Sequence, residues 1–148
     1  MSELRTNRIV PRNGLPAGAA GGIIQIVSAT SSTQATSQST SWSTTGLEAT
    51  ITPTRSDSKI LIQVSGPMTG FAGGSGGSSV ESSANGLSCQ YGQSSQYSDV
   101  HILWLDSPST TSATTYTVMM SRRNGDTTYS FIRDGNQTGS LILMEVSG

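Results

Sequence analysis

The chain has 148 residues, of which 33% are apolar and only 11% are charged, and its formal net charge is −1. This length allows one domain with a substantial core, and the near-neutral charge gives no electrostatic footprint for nucleic acid or an acidic membrane surface. The shortage of Glu and Lys disfavours a helical protein, and the β-branched and aromatic clusters argue against a disordered chain.

The N-terminal segment, residues 1–21, differs from the rest of the chain. It contains Arg5, Arg8 and Arg12, two prolines and a closing Gly/Ala run, and no helical or alternating apolar pattern lasts through it. Because proline fixes φ and lacks a backbone donor, this segment cannot be a central strand. We therefore predict an extended arm over 1–21 and a β domain over 22–148.

Alternating apolar residues predict the first strands of this domain at Gly22–Ser28, Thr44–Thr52 and Lys59–Ser65. Between the first two, residues 29–41 are either a polar loop or a Thr-rich edge strand. Antiparallel pairing of the second and third strands across their short polar connection is the natural arrangement. Leu47, Ala49 and Ile51 are predicted to point inward from the second strand. In the third strand Ile60, Ile62 and Val64 share one face, and Lys59, Leu61 and Gln63 share the other.

A Gly/Ser-rich region follows, over residues 66–98. It can be a flexible, variable loop region or a series of irregular strands. The spacing of Leu87, Cys89 and Tyr91 is that of a short strand.

The remaining strands include a predicted hairpin. Tyr116–Arg122 and Thr127–Arg133 flank Asn124-Gly125, a pair that accepts the positive φ of a type I′ turn. Asp99–Leu105 and Ser140–Val146 are apolar on both faces, which is typical of strands covered on both sides. Since a small sandwich exposes one face of each sheet to water, this excess of apolar surface predicts a homo-oligomer.

These patterns predict seven or eight strands, no helix, and turns at the spacing of a sandwich. The predicted fold is all-β, a jelly-roll-like antiparallel β-sandwich with an extended N-terminal arm.

The residues that could carry chemistry do not form a catalytic pattern. His101 and Asp99 share one strand face, but a partly buried strand histidine is the simpler interpretation. Cys89, the only cysteine, has no adjoining basic residue, and one histidine without clustered carboxylates does not make a metal site. We predict no enzyme activity, no cofactor and no metal. The absence of a run near the ~20 apolar residues of a membrane span predicts no membrane insertion.

Four aromatic side chains lie in or beside polar loops: Trp42, Phe71, Tyr91 and Tyr97. Exposed aromatics of this kind can stack on sugars or anchor a partner, and they can equally cap the ends of a sandwich. We keep them as candidate receptor contacts.

Several segments resemble a module of tailed bacteriophages, especially marine and cyanobacterial ones, that occurs in fibre-like and minor virion proteins. They are SELRTNRIVPRNGLPAGAAGGIIQIV at 2–27, TGLEATITP at 45–53, SKILIQVS at 58–65 and LDSPSTTSATTYTV at 105–118. The resemblance implies a virion structural protein with a β-sandwich head, trimeric and attached through its N-terminus. It supplies no catalytic residues.

The resulting functional hypothesis is a homotrimeric tail fibre or tail-associated protein that contributes to host attachment. The predicted virion-docking residues are Arg5, Arg8, Ile9, Val10 and Arg12. The expected partners are other copies of the chain, other virion proteins and a host-surface glycan or protein, but not nucleic acid. The expected location is the virion, after assembly in the host cytoplasm. The alternative is a capsid decoration or cement protein that stabilises the shell.

Overall fold

A computed structural model describes residues 22–69, 72–76, 78–79, 98–121, 129–132 and 137–147. Within these ranges the chain forms ten β-strands and no helix. The strands are β1 (Ile23–Ser31), β2 (Ala35–Ser37), β3 (Ser43–Ile51), β4 (Lys59–Thr69), β5 (Ala72–Gly76), β6 (Ser78–Ser79), β7 (Ser98–Asp106), β8 (Thr114–Met120), β9 (Tyr129–Phe131) and β10 (Gly139–Val146). The prediction of an all-β fold with antiparallel sheets is confirmed for the described residues, and the predicted arm lies outside them.

The strands form two antiparallel sheets. In sheet A, β1 pairs with β10, β10 with β4, and β4 with β7, while the short strands β9 and β2 extend the sheet beside the far end of β4. In sheet B the order is β3-β8-β5-β6. The described strands therefore make two layers, with consecutive long strands often in different layers.

One hydrophobic core lies between the two sheets. Its alternating positions follow the period of two that a strand with one buried face requires. The inward positions predicted for β3 are confirmed, and in β4, β7 and β10 one of the two predicted faces is buried in the core. The buried apolar residues are Leu47, Ala49, Ile51, Ile60, Ile62, Val64, Val100, Ile102, Tyr116, Val118, Met120, Phe131, Ile132, Leu141 and Leu143.

The predicted pairing of β3 with β4 is wrong. Strand β3 pairs with β8 in sheet B, whereas β4 pairs with β10 on one side and β7 on the other in sheet A. Both edges of β4 are therefore occupied. The connection at residues 52–58 crosses from one sheet to the other instead of closing a hairpin.

The predicted hairpin between β8 and β9 is also wrong for the described strands. Strand β8 pairs with β3 and β5, so neither of its edges is left for β9, which pairs with β2 and β4 in the other sheet. Asn124-Gly125 and Asp134-Gly135 lie outside the described residues. A local turn signal was outweighed by the pairing of strands distant in sequence.

Both regions that allowed two interpretations contain strands. Ala35–Ser37 pairs with β9, so the edge-strand interpretation holds for part of residues 29–41. Between residues 66 and 98, β4 continues to Thr69, and β5 and β6 occupy part of 72–79. The short strand predicted around Cys89 lies outside the described residues.

The first and last strands of the described domain are neighbours. β1 and β10 pair along their length, and the Ser147 amide donates a hydrogen bond of 3.1 Å to the Gly22 carbonyl oxygen. The first and last described residues therefore lie side by side.

Gly46 occupies a backbone conformation that favours glycine, with φ of 76°. It lies in a bulge, where the β3–β8 register shifts between Thr44 and Glu48. The bulge is held by side-chain hydrogen bonds, including one of 2.9 Å from Thr45 Oγ1 to the Val118 carbonyl oxygen. Such bulges use glycine because it tolerates positive φ.

Replacing Gly46 with alanine is expected to lower the free energy of unfolding by about 1–2 kcal/mol. A Cβ at this position meets no atom of the described chain within 4 Å, so the cost comes from the backbone alone. Asparagine tolerates the left-handed region better than alanine, so Gly46→Asn should lose less. Urea unfolding of both variants checks this. Equal losses would mean that the backbone conformation is not the cause.

Candidate interaction surface

An apolar row crosses the outer face of sheet A. Ile26 of β1 pairs with Met144 of β10, Met144 pairs with Leu61 of β4, and Leu61 pairs with Leu105 of β7. These four side chains alternate with the core residues of their strands, so they point away from the core. We call this set the apolar row.

The neighbouring row extends the apolar surface. It contains Ser28, Ile142, Gln63 and Leu103 in cross-strand register. Leu103 is 66% exposed, and at the edges of the apolar row Ile26 is 59% and Leu105 48% exposed. Single exposed apolar residues are normal on a protein surface, but cross-strand neighbours about 5 Å apart make a contiguous patch.

Polar residues border this patch at one end of the strands, whereas at the other end Ile23 and Val146 lie beside Lys59. The next row is Thr30, Ser140, Ser65 and His101. The charged side chains on the outer face of the described β4 and β7 lie farther out, at Lys59 on one end and Asp99 on the other. The two central rows of the face are therefore uncharged.

The outer face of sheet B has a different character. Glu48 and Thr50 of β3 lie opposite Thr117 and Thr115 of β8. The Thr50 and Thr115 hydroxyls share a hydrogen bond of 2.7 Å, and Thr117 Oγ1 donates to Glu48 Oε2 at 3.4 Å. This arrangement is typical of a sheet face that meets water, so this part of β3 and β8 differs from the outer face of sheet A.

A buried carboxylate anchors the connection between β3 and β4. Glu145 of β10 is fully buried. Its Oε1 accepts hydrogen bonds of 2.8 Å from both the amide and the hydroxyl of Thr54, and its Oε2 accepts one of 2.6 Å from Gln25 Nε2. Gln25 Nε2 also donates to the Thr52 carbonyl oxygen at 2.7 Å. Glu145 thus ties the sheet-crossing connection to β1 and β10.

The environment of Glu145 favours its charged form. Burial alone would raise the pKa of this carboxyl, but hydrogen bonding from Gln25, Ser58 and Thr54 lowers the pKa below its ordinary value. The buried Ser58 hydroxyl lies close enough to the Glu145 carboxylate to contribute to this lowering of the pKa. It forms no hydrogen bond of normal geometry with any described residue. Glu145 therefore has a structural role, because its charged form holds the connection between β3 and β4 in place.

A second polar contact joins the two sheets. The buried Tyr116 hydroxyl of sheet B donates a 2.6 Å hydrogen bond to Asp106 Oδ2 at the end of β7 in sheet A. Burial, together with this hydrogen bond and the charge of Asp106, raises the pKa of the Tyr116 phenol far above its ordinary value. Tyr116 therefore stays protonated and acts as a fixed donor.

The structure describes one of the predicted site residues. Trp42 lies between β2 and β3 and is 42% exposed. The other candidates lie outside the described residues: Arg5, Arg8, Ile9, Val10, Arg12, Phe71, Tyr91 and Tyr97. Trp42 is therefore the one predicted receptor contact whose position the structure gives.

His101 departs from its predicted environment. The sequence predicts a partly buried histidine, whereas His101 is exposed, as is Asp99 on the same face of β7. The reason is that β7 alternates, with Val100 and Ile102 directed into the core and the odd-numbered residues directed outward. The outer face of β7 is thus exposed in the single chain, and the predicted cover on this face would have to come from another molecule.

Sequence reasoning missed the role of Glu145. The signal was present, because Leu141, Leu143 and Glu145 occupy alternate positions, which places the carboxylate on the same face as two core residues. Its hydrogen-bond partners lie up to 120 residues away in sequence. Spacing alone could not identify them.

The described ranges contain neither of two other kinds of site. No group of three or more His, Cys, Asp and Glu side chains suited to a metal ion occurs there. The same ranges hold no helix with the length and apolar character needed to cross a bilayer. No protein-family model, curated protein or solved structure matches the chain.

Proposed function

We propose that this protein is a structural component of a tailed-bacteriophage virion, a homotrimeric tail fibre or tail-associated protein that contributes to host attachment. The sequence resemblance at 2–27 and 105–118 supports the virion assignment. The single structural observation that carries an assembly role is the apolar outer face of sheet A. A contiguous apolar surface of this kind marks a site of association.

The fold within this proposal is a jelly roll. Eight strands support it in two sets, β1-β10-β4-β7 and β3-β8-β5-β6, with the first and last strands adjacent. Jelly rolls place eight strands in two packed sheets and are common in viral capsid domains. The crossing of the chain from β3 to β4 between sheets agrees with this arrangement.

The arm at 1–21 is proposed to dock on another virion protein. Extended backbone can add to the edge of a partner's sheet. Arg5, Arg8 and Arg12 would meet carboxylates in forked geometry, and Ile9 and Val10 would fill apolar pockets. Trp42, which is 42% exposed, is the described residue that would contact a receptor.

Deleting residues 1–16 tests the docking role. We expect a folded oligomer with an unchanged circular dichroism spectrum that fails to incorporate into particles. A matched variant in which 1–16 are replaced by a Gly/Ser segment of equal length controls for chain length. Normal incorporation of either variant would contradict docking through the arm.

The location of the protein in intact particles separates a tail role from a capsid role. Gold labelling of a C-terminal tag should place it at the tail. Label distributed over the shell would instead favour the decoration or cement protein, which could use the same apolar sheet face to stabilise the capsid.

A further inference from the structure

We infer that the outer face of sheet A is the contact surface between copies of this chain. The inference deepens the proposed function, on whose self-association it rests, by assigning that association to named strands. At its centre are the apolar row, Ile26, Met144, Leu61 and Leu105, and the adjoining Leu103 and Ile142.

The dimensions of this face suit a protein–protein contact. It spans four strands, with neighbours about 4.8 Å apart, so it is roughly 20 Å wide. β1 alone has 9 residues and is therefore about 30 Å long at roughly 3.3 Å per residue. The flat area of the face is therefore roughly 600 Å², and the relief of its side chains brings its accessible surface towards the about 800 Å² that a standard interface buries on each partner.

The distribution of charge allows the same face of several copies to meet around a symmetry axis. The two central rows are uncharged, so a second copy can approach without repulsion between like charges. Lys59, Asp99 and His101 lie towards the ends of the face, where an interface has its polar rim. A partner of strong single charge would find no complementary group at the centre.

The side chains themselves favour a copy of the chain over a glycan. The central apolar residues are leucine, isoleucine and methionine, whereas sugars are bound chiefly by stacking on aromatic rings with nearby polar groups. The large aromatic of β7, Trp104, packs towards the core. An aliphatic, uncharged sheet face is what a homomeric contact typically contains.

The test uses the full chain and two glutamate variants at opposite edges of the face. Wild type should sediment as an oligomer at micromolar concentration. Leu103→Glu on β7 and Ile26→Glu on β1 should each weaken association by about tenfold or more, because a charge would be buried without a partner. Both side chains are mostly exposed in one copy, at 66% and 59%, so the monomer fold should persist.

Thr115→Glu is the matched control, because it adds the same charge at an exposed strand position on sheet B. It should leave the association constant unchanged. Thermal unfolding by circular dichroism checks each variant, and if one glutamate variant fails to fold, the other still tests the contact. Wild type that remains monomeric, or two folded glutamate variants that associate like wild type, would overturn the inference.

The outcomes also separate this inference from the proposed function. A wild-type oligomer that both glutamate variants leave intact would refute this contact surface and leave the trimeric virion protein standing. A dimer dissociated by both variants would support the contact surface and refute the trimer. Failure of the 1–16 deletion to affect incorporation would bear on the arm alone.

Discussion

Replacing Phe131 with alanine is expected to lower the free energy of unfolding by about 3–5 kcal/mol, the usual cost of removing a large buried aromatic ring. Phe131 is fully buried, and its strand β9 pairs with both β2 and β4. Its ring also lies directly against the backbone of two glycines. Urea unfolding followed by circular dichroism measures the loss.

The contact with these glycines has its own expected effect. A Cβ on Gly139 would lie 2.8 Å from two ring atoms of Phe131, and a Cβ on Gly66 would lie 2.9 Å from the same ring. Because a packed ring cannot yield freely, Gly139→Ala should cost about 1–3 kcal/mol.

A double-mutant cycle identifies the cause of that cost. In a Phe131→Leu background the side chain is smaller, so Gly139→Ala should cost less than it does in wild type, with a coupling of about 0.5–3 kcal/mol. Strict additivity of the two substitutions would show that the ring is not what excludes a side chain at Gly139.

The second large effect is expected at Glu145. Glu145→Ala removes the acceptor of the Thr54 amide, the Thr54 hydroxyl and Gln25 Nε2, and should cost about 3 kcal/mol, since buried hydrogen bonds to a charged group are among the stronger ones. Glu145→Gln should cost less, because its amide oxygen can still accept from Thr54. Urea unfolding near neutral pH measures both.

The pH dependence at this site follows from the lowered pKa of Glu145 in the folded state. The folded protein holds the proton less tightly than the unfolded chain, so the carboxylate contributes stability above the ordinary glutamate pKa of 4.5. That contribution is lost as the pH falls through the folded-state pKa.

Comparing unfolding at about pH 7 and about pH 3 isolates this contribution. Wild type should lose more stability than Glu145→Gln over this interval, since the other carboxyl groups are common to both proteins. Parallel loss in the two proteins would contradict a stabilising buried carboxylate.

The direction of each side chain was the most predictable part of this fold. Leu47, Ile60 and Leu141 belong to alternating runs, and a period of two leaves only the choice of which face is buried. The apolar outer face was also foreseeable, because β7 and β10 are apolar on both sides. These predictions needed no knowledge of which strands are neighbours.

Strand partnership could not be predicted in the same way. The short connection after β3 and the Asn124-Gly125 pair are both local signals for hairpins, yet β4 and β8 take partners from distant parts of the chain. Which edges remain free depends on how the two sheets pack. The same limit applies to Glu145, whose role depends on Gln25 and Thr54 reaching it from other strands.

The closeness of Gly22 and Ser147 makes this domain suitable for insertion and permutation. A short linker could join the two positions without disturbing the β1–β10 pairing. New ends could be opened in the loop at 107–113, which connects β7 of sheet A to β8 of sheet B. The domain could likewise be placed within a loop of another protein, with both junctions at one point on that host's surface.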